Sequence, residues 1–143
     1  HALETRVNEF ATLFYGVLNV PTRRLTYANA GHPPPLLFRD GRHCDLGTGG
    51  PIVGIDPDQR WSHAHFTLHP GDVILAYTDG LSEAANFQEE QFGRARIRGA
   101  AESAIGSGMD AHGIAQHVLW AMRRFAGLQT RLDDLTMLVI RVQ

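Results

Sequence analysis

The sequence predicts an α+β fold in which helices lie on an antiparallel assembly of strands, and three observations lead there. Short apolar or alternating runs punctuated by turn residues fill the chain as far as Thr78. Two stretches with helical spacing lie together between Glu83 and Gly127. A last apolar run, Leu135-Thr136-Met137-Leu138-Val139-Ile140, then closes the chain. Strands followed by grouped helices, without regular βαβ alternation, belong to α+β architectures.

Composition bounds the function classes. The chain has 143 residues, 43% of them hydrophobic, which is one domain's worth and enough to bury a core. Thirteen basic against fifteen acidic side chains give a formal charge of −2, so no basic field is available for nucleic acid or for an anionic membrane surface. Cys44 is the single cysteine, which excludes an internal disulfide and fits a reducing compartment. The apolar runs are too short for a bilayer span and no signal peptide is visible, so a cytoplasmic location is expected.

Taken in order, His1 to Glu9 carries Leu3 and Val7 at helical spacing, as in the last turns of a helix. Phe10 to Val20 reads as a strand, Pro21-Thr22 as a turn and Arg24 to Ala30 as a second strand, which together make a hairpin. Gly31-His32-Pro33-Pro34-Pro35 is a stiff loop, because each proline fixes its own φ and extends the residue before it. His32 is thereby held in place, either as an acid-base or phosphate-binding group or as a loop histidine bonded to backbone. Leu36 to Arg39, the Asp40-Gly41 turn and Arg42 to Leu46 form another hairpin. Gly47-Thr48-Gly49-Gly50-Pro51 lacks the Lys-Ser/Thr and helix start of a phosphate loop and reads as a flexible connector.

Ser62 to Leu68 alternates, which puts His63 and His65 on one face of a strand and Ala64 and Phe66 on the other. With His69 nearby, zinc is a rival reading, but nothing supplies a fourth ligand at a suitable spacing. Arg94, Arg96 and Arg98 offer charge to a phosphorylated partner or form a solvated helix face. Asp110 is placed to cap a helix over Ala111–Ala126, whose Ile114, Val118, Ala121 and Phe125 form the buried stripe, and Gly127 ends it. His112, His117 and Trp120 fall at its surface or rim.

The stretch with most chemistry in it is Gly71-Asp72-Val73-Ile74-Leu75-Ala76-Tyr77-Thr78-Asp79-Gly80. An apolar run from Val73 to Tyr77, opened by the turn at Pro70-Gly71, fits a strand packed on both faces. It delivers the carboxylate of Asp79 where the sheet ends, and Gly80 allows the backbone to bend there. Taken alone, Asp79-Gly80 reads equally as a tight turn. A second acidic pair, Asp133-Asp134, comes just before the last strand. If the two strands are antiparallel neighbours, Asp79, Asp133 and Asp134 meet at one sheet edge. Converging carboxylates call for a hard cation with oxygen ligands, such as Mg²⁺ or Mn²⁺.

Five short pieces stand in order over nearly the whole chain: Phe10-Ala11-Thr12-Leu13-Phe14-Tyr15, Tyr27-Ala28-Asn29-Ala30-Gly31-His32-Pro33-Pro34, Pro51-Ile52-Val53-Gly54, the Pro70-to-Gly80 stretch with Glu83-Ala84, and Asp133-Asp134-Leu135-Thr136. In these the chain resembles the metal-dependent protein phosphatases of the protein phosphatase 2C type. Within that group it is similar to the bacterial branch of stage II sporulation protein E and the phosphatases that activate stress sigma factors. The resemblance implies an antiparallel β-sandwich flanked by helices (α-β-β-α), with a pair of Mn²⁺ or Mg²⁺ ions at one edge. It implies that Asp79, Gly80, Asp133 and Asp134 hold metal, that Asp79 and Asp133 are catalytic, and that His32 lies near the substrate.

The activity it implies is hydrolysis of phosphoserine or phosphothreonine on a bacterial regulatory protein, such as an anti-sigma-factor antagonist, by attack of a metal-activated water. The chain offers no Gly-x-Ser-x-Gly elbow and no cysteine beside a credible base, which agrees with a reaction needing no protein nucleophile. The family's early Gly-Asp metal motif, with the Gly-His-Gly that follows it, is absent from these 143 residues. The resemblance therefore covers the C-terminal two thirds of one such domain, and the chain alone is expected to be weak or inactive. A catalytically inactive, phosphatase-like binding module is the alternative. A truncated domain would also leave a sheet edge unpaired and open to homo-oligomer formation.

Overall fold

A computed structural model describes residues 9–128 and 134–143. In chain order they form β1 (Leu13–Asn19), β2 (Arg24–Ala30), β3 (Leu36–Arg39), β4 (Arg42–Asp45), β5 (Gly49–Gly50), β6 (Ala64–Thr67), β7 (Val73–Tyr77), α1 (Asp79–Ser82), α2 (Gly93–Gly106), α3 (Ala111–Ala126) and β8 (Met137–Arg141). This is the α+β pattern of mostly antiparallel strands with a few helices that the sequence predicts. The helix expected before Glu9 lies outside the described residues. The chain divides into two compact units. One holds the described residues up to His32 together with Gly47–Thr67, and the other holds Pro33–Leu46 together with the described residues from Leu68 onward.

The first unit is built on β2. β1 pairs antiparallel with it from Leu13 opposite Ala30 to Asn19 opposite Arg24, as the predicted hairpin requires, although the strand is shorter than Phe10 to Val20. β6 runs antiparallel along the first half of β2, from Arg24 opposite Thr67 to Tyr27 opposite Ala64. Tyr27 is the aromatic centre: it stacks on Phe14 at 5.4 Å and meets Phe66 edge-on at 6.3 Å. His63 and His65 are exposed while Ala64 and Phe66 are partly covered, the alternation expected of a strand with one wet face.

The connector reading of Gly47–Pro51 is corrected. Gly49 and Gly50 form the short parallel strand β5 against Asn29 and Ala30. A Cβ on Gly49 would lie 1.7 Å from the Asn29 carbonyl oxygen, so only glycine lets the two backbones approach this closely.

In the second unit the sheet runs β4-β3-β7-β8, antiparallel throughout. One face carries Leu36, Phe38, Val73, Leu75 and Tyr77 against Ile97, Ala101 and Ala104 of α2 and Ile114, Val118 and Met122 of α3. α3 has the predicted bounds. Asp110 caps it by accepting from the Gly113 amide at 2.8 Å, and Gly127 follows at φ 68°. Its fully buried row is Ile114, Val118, Met122 and Ala126, whereas the predicted Ala121 and Phe125 pack beside that row. A row spaced by four residues lies along one side of the helix, and the 4-3-4 choice straddles its edge. Among the described residues no helix is long and apolar enough to cross a membrane.

The start of β7 is fixed by a buried ion pair. Asp72 is 1% exposed and accepts from Arg39 Nε at 2.9 Å, from Arg39 Nη2 at 2.6 Å and from the His69 amide at 2.7 Å. Burial alone would raise its pKa, but the Arg39 hydrogen bonds, the His69 amide and the charge of Arg39 outweigh it and hold the carboxyl below its ordinary range. A carboxylate whose pKa is lowered by folding stabilises the native state above its unfolded value of about 3.9, and that contribution is lost as pH falls through the lower folded value. Asp72→Asn should therefore cost about 2 kcal/mol at neutral pH, since Arg39 keeps some water contact. It should also flatten the acid limb of the stability curve below about pH 4. Urea unfolding of both proteins from pH 7 down to 3 checks this, and equal acid slopes would contradict it.

Candidate active site

The antiparallel pairing on which the sequence argument turns is observed. β7 and β8 run together from Val73 opposite Arg141 to Tyr77 opposite Met137. Beyond that pair the Thr78 amide donates to the Thr136 carbonyl at 3.0 Å. Asp79 comes next after Thr78, and Asp134 stands two residues before Thr136, so both leave the strand pair at the same end. Asp133 lies outside the described residues. Both described carboxylates are exposed, and among the described residues neither is engaged by a cationic side chain.

Asp79 opens α1, whose first turn it shares with Gly80. Gly80 is buried in the backbone of α1: the chain bends here by turning from strand into helix, a conformation that does not depend on glycine. Leu81 is fully buried and packs into the α2–α3 core, which anchors the short helix against the sheet.

Arg94 stands behind the end of β7. It donates to the Tyr77 hydroxyl at 2.6 Å and to Asp45 at 2.7 Å, so the first turn of α2 is tied to the last residues of β7 and β4. Burial would lower its pKa, but the bonds to Asp45 and Tyr77 outweigh this and raise it. For Arg94 the solvated-face reading gives way, whereas Arg96 and Arg98 keep much of their surface in water. Arg96 donates to the Gln91 and Phe92 carbonyls, lies 4.3 Å above the Phe125 ring and pairs with Glu90 at 3.6 Å, while Arg98 pairs with Glu102 at 3.8 Å.

His32 belongs to the first unit and is half-buried. Its amide donates to Asn29 Oδ1 at 2.8 Å, and Asn29 Nδ2 donates to the His32 carbonyl at 2.9 Å. Gly31 between them sits at φ 68°, where a Cβ would also strike the Ile52 side chain at 2.2 Å. Among the described residues no three His, Cys, Asp or Glu side chains form a group that would hold a metal ion, and His63, His65 and His69 are all described. The zinc reading therefore finds no cluster in the structure, while the carboxylate site depends on Asp133, which is not described.

The fold is that of a phosphatase domain of the 2C type. The family model of stage II sporulation protein E (SpoIIE) matches residues 1–143, and the chain belongs to that family. Among curated proteins it is 37% identical over 89 residues to protein IcfG of Synechocystis sp., covering 62% of this chain and 14% of that one. It is 34% identical over 76 residues to the phosphoserine phosphatase RsbU of Bacillus subtilis, covering 52% and 23%. Among solved structures, the RsbU and RsbW domains of Rv1364c from Mycobacterium tuberculosis superpose with a TM-score of 0.73 at 26% identity, over 95% of this chain and 38% of that one. The SpoIIE phosphatase domain of B. subtilis, presoaked with manganese, gives 0.64 at 18% identity, over 92% and 56%. The chain thus spans under a quarter of the curated relatives and little more than half of the isolated SpoIIE domain.

Three residues carry more structure than their sequence signal suggests: Thr78 at the end of β7, Asp72 at its start, and Asn29 in the first unit. Asp72 was legible as an acid opening an apolar strand, and Asn29 as a polar residue ending a strand before Gly31. Thr78 carries no sequence signal beyond its position. Asn29 is 3% exposed, and removing its amide takes one partner from each of two part-buried backbone groups of His32. Asn29→Ala should cost about 2 kcal/mol and release the His32 amide to rapid hydrogen exchange. Asn29→Asp keeps the acceptor and should keep that amide protected. Exchange measured by NMR on the three proteins tests this.

Proposed function

We propose that this chain is part of a metal-dependent protein serine/threonine phosphatase that acts on a phosphorylated regulatory protein in sigma-factor control. One observation carries the reading: β7 and β8 are antiparallel neighbours, so Asp79 and Asp134 leave the sheet at one end. The relatives support the reaction class, since RsbU is named a phosphoserine phosphatase, and the pairing of RsbU with RsbW domains in Rv1364c supports a regulatory protein as partner. Residues 1–143 are read as part of one catalytic domain, because 92% of the chain aligns with 56% of the SpoIIE phosphatase domain.

The donor chemistry fits a hard divalent cation. Asp79 and Asp134 are exposed oxygen donors without cationic partners among the described residues, which is where such an ion would compensate their mutual repulsion. In this reading Asp79 and Asp133 are the catalytic ligands, Asp134 and the Gly80 backbone complete this chain's share, and His32 is the candidate substrate-binding residue. When bound, Mn²⁺ or Mg²⁺ supplies a water of lowered pKa and positive charge for the phosphoryl oxygens. In this reading the β7–β8 pair sets where Asp79 and Asp134 leave the sheet, and α1 begins at Asp79.

The test uses the full-length protein containing this chain with a phosphoserine peptide and Mn²⁺. Asp79→Asn removes one anionic ligand and several kcal/mol of charge stabilisation, so kcat/KM should fall about 100-fold or more. Chelation should abolish turnover. Unchanged turnover in the variant, or activity surviving the chelator, would sink the reading, whereas a wild type with no turnover in Mn²⁺ would leave the non-catalytic binding module. The exposed Tyr15, Val17 and Leu18 on β1 support self-association of the isolated chain through that edge. Light scattering should find species larger than 15.8 kDa.

A further inference from the structure

The end of β7 poses an accounting question for the backbone. The Thr78 carbonyl has turned away from the sheet and accepts from the Leu81 amide at 3.0 Å, as the first bond of α1. In a regular antiparallel pair that carbonyl would accept from the Thr136 amide, since the Thr78 amide already donates to the Thr136 carbonyl at 3.0 Å. The Thr136 amide instead donates to Thr78 Oγ1 at 2.9 Å, and the same hydroxyl lies 3.4 Å from the Thr136 carbonyl. Thr78 is also the N-cap residue of α1, with φ −94° and ψ 165°, yet its side chain makes no capping bond. A threonine at such a position ordinarily satisfies its own helix. Here the hydroxyl is spent across the strand pair.

We propose that Thr78 is a positioning residue for the candidate ion site, whose hydroxyl holds the Asp134 segment in register with Asp79 where the regular ladder ends. The inference rests on the reading of Asp79 and Asp134 as ion ligands. The hydroxyl lets one residue end a strand, start a helix and still keep the neighbouring strand bonded. Without an oxygen on Cβ, the Thr136 amide either loses this acceptor or draws the Thr78 carbonyl back from Leu81. The first course loosens the segment carrying Asp134, and the second displaces Asp79. Small hard cations demand near-ideal ligand geometry, so either shift weakens them more than it weakens the fold.

The experiment compares wild type, Thr78→Val, Thr78→Ala and Thr78→Ser in the full-length protein, with Asp79→Asn as reference. Mn²⁺ affinity is read by calorimetric titration, protection of the Thr136 amide by hydrogen exchange, and turnover by a phosphoserine peptide assay. Val and Ala should lose the Thr136 protection and bind Mn²⁺ about 10-fold more weakly, the scale of a lost outer-shell partner. Their kcat should fall at saturating peptide with little change in the peptide KM, and Ser should restore all of these towards wild type. Wild-type Mn²⁺ affinity in a folded Thr78→Val, or a Ser variant as weak as Val, would overturn the proposal. So would failure of both Val and Ala to fold, which would make Thr78 a stability residue. If Asp79→Asn binds Mn²⁺ as wild type does, the ion-site reading itself has failed; if only the Thr78 variants are silent, this inference alone falls.

Discussion

Strand β7 is the constraint on which the second unit depends. It is hydrogen-bonded on both sides, to β3 and to β8, and Val73 and Leu75 have no exposed surface at all. With a neighbour on each edge and helices over one face, the strand cannot slip by one residue without turning Val73, Leu75 and Tyr77 out of the core. Each such side chain loses about 1.5 to 3 kcal/mol on exposure, so the register is fixed by an energy comparable to the stability of a whole domain. The position of Asp79 is inherited from that register, because only Thr78 separates it from the last paired residue.

The elements legible in the sequence were those in which a local signal and tertiary packing agree. α3 announced both its ends, through Asp110 as a cap and Gly127 at positive φ, and its bounds follow from them. The Arg24–Ala30 strand and the Asp40-Gly41 turn were legible for the same reason: alternation and turn chemistry are local. Gly49-Gly50 was misread because nothing local makes two glycines a strand. They pair with Asn29 and Ala30 only because the absence of Cβ lets another backbone come within contact.

Side-chain partnerships across long stretches of chain were the least legible. Arg94 looks in sequence like one member of a solvated row, yet it joins Tyr77 and Asp45, which lie 17 and 49 residues away. Its role is set by where α2 begins relative to the sheet, and that is a product of the whole core. Of the candidate site, the exit of Asp79 and Asp134 from the sheet at one end was deducible, given antiparallel pairing, from two apolar runs and the acids beside them. The hydroxyl of Thr78 was not, because the need for it arises only when a carbonyl is diverted into α1.

The two acids that flank β7 show how the same side chain is assigned opposite tasks by its surroundings. Asp72, before the strand, is removed from water and matched by a guanidinium and a backbone amide, so its charge is fully committed to the fold. Asp79, after the strand, is left in water with no cation beside it among the described residues. An exposed carboxylate has no desolvation cost and adds little to stability, so its placement follows from the register of β7 rather than from any bond of its own. Under the proposed function, such a placement at a fixed point of the sheet is what an ion ligand requires. The bonds between Thr78 and Thr136 carry the pairing one step past the last regular pair, at the point where β7 turns into α1.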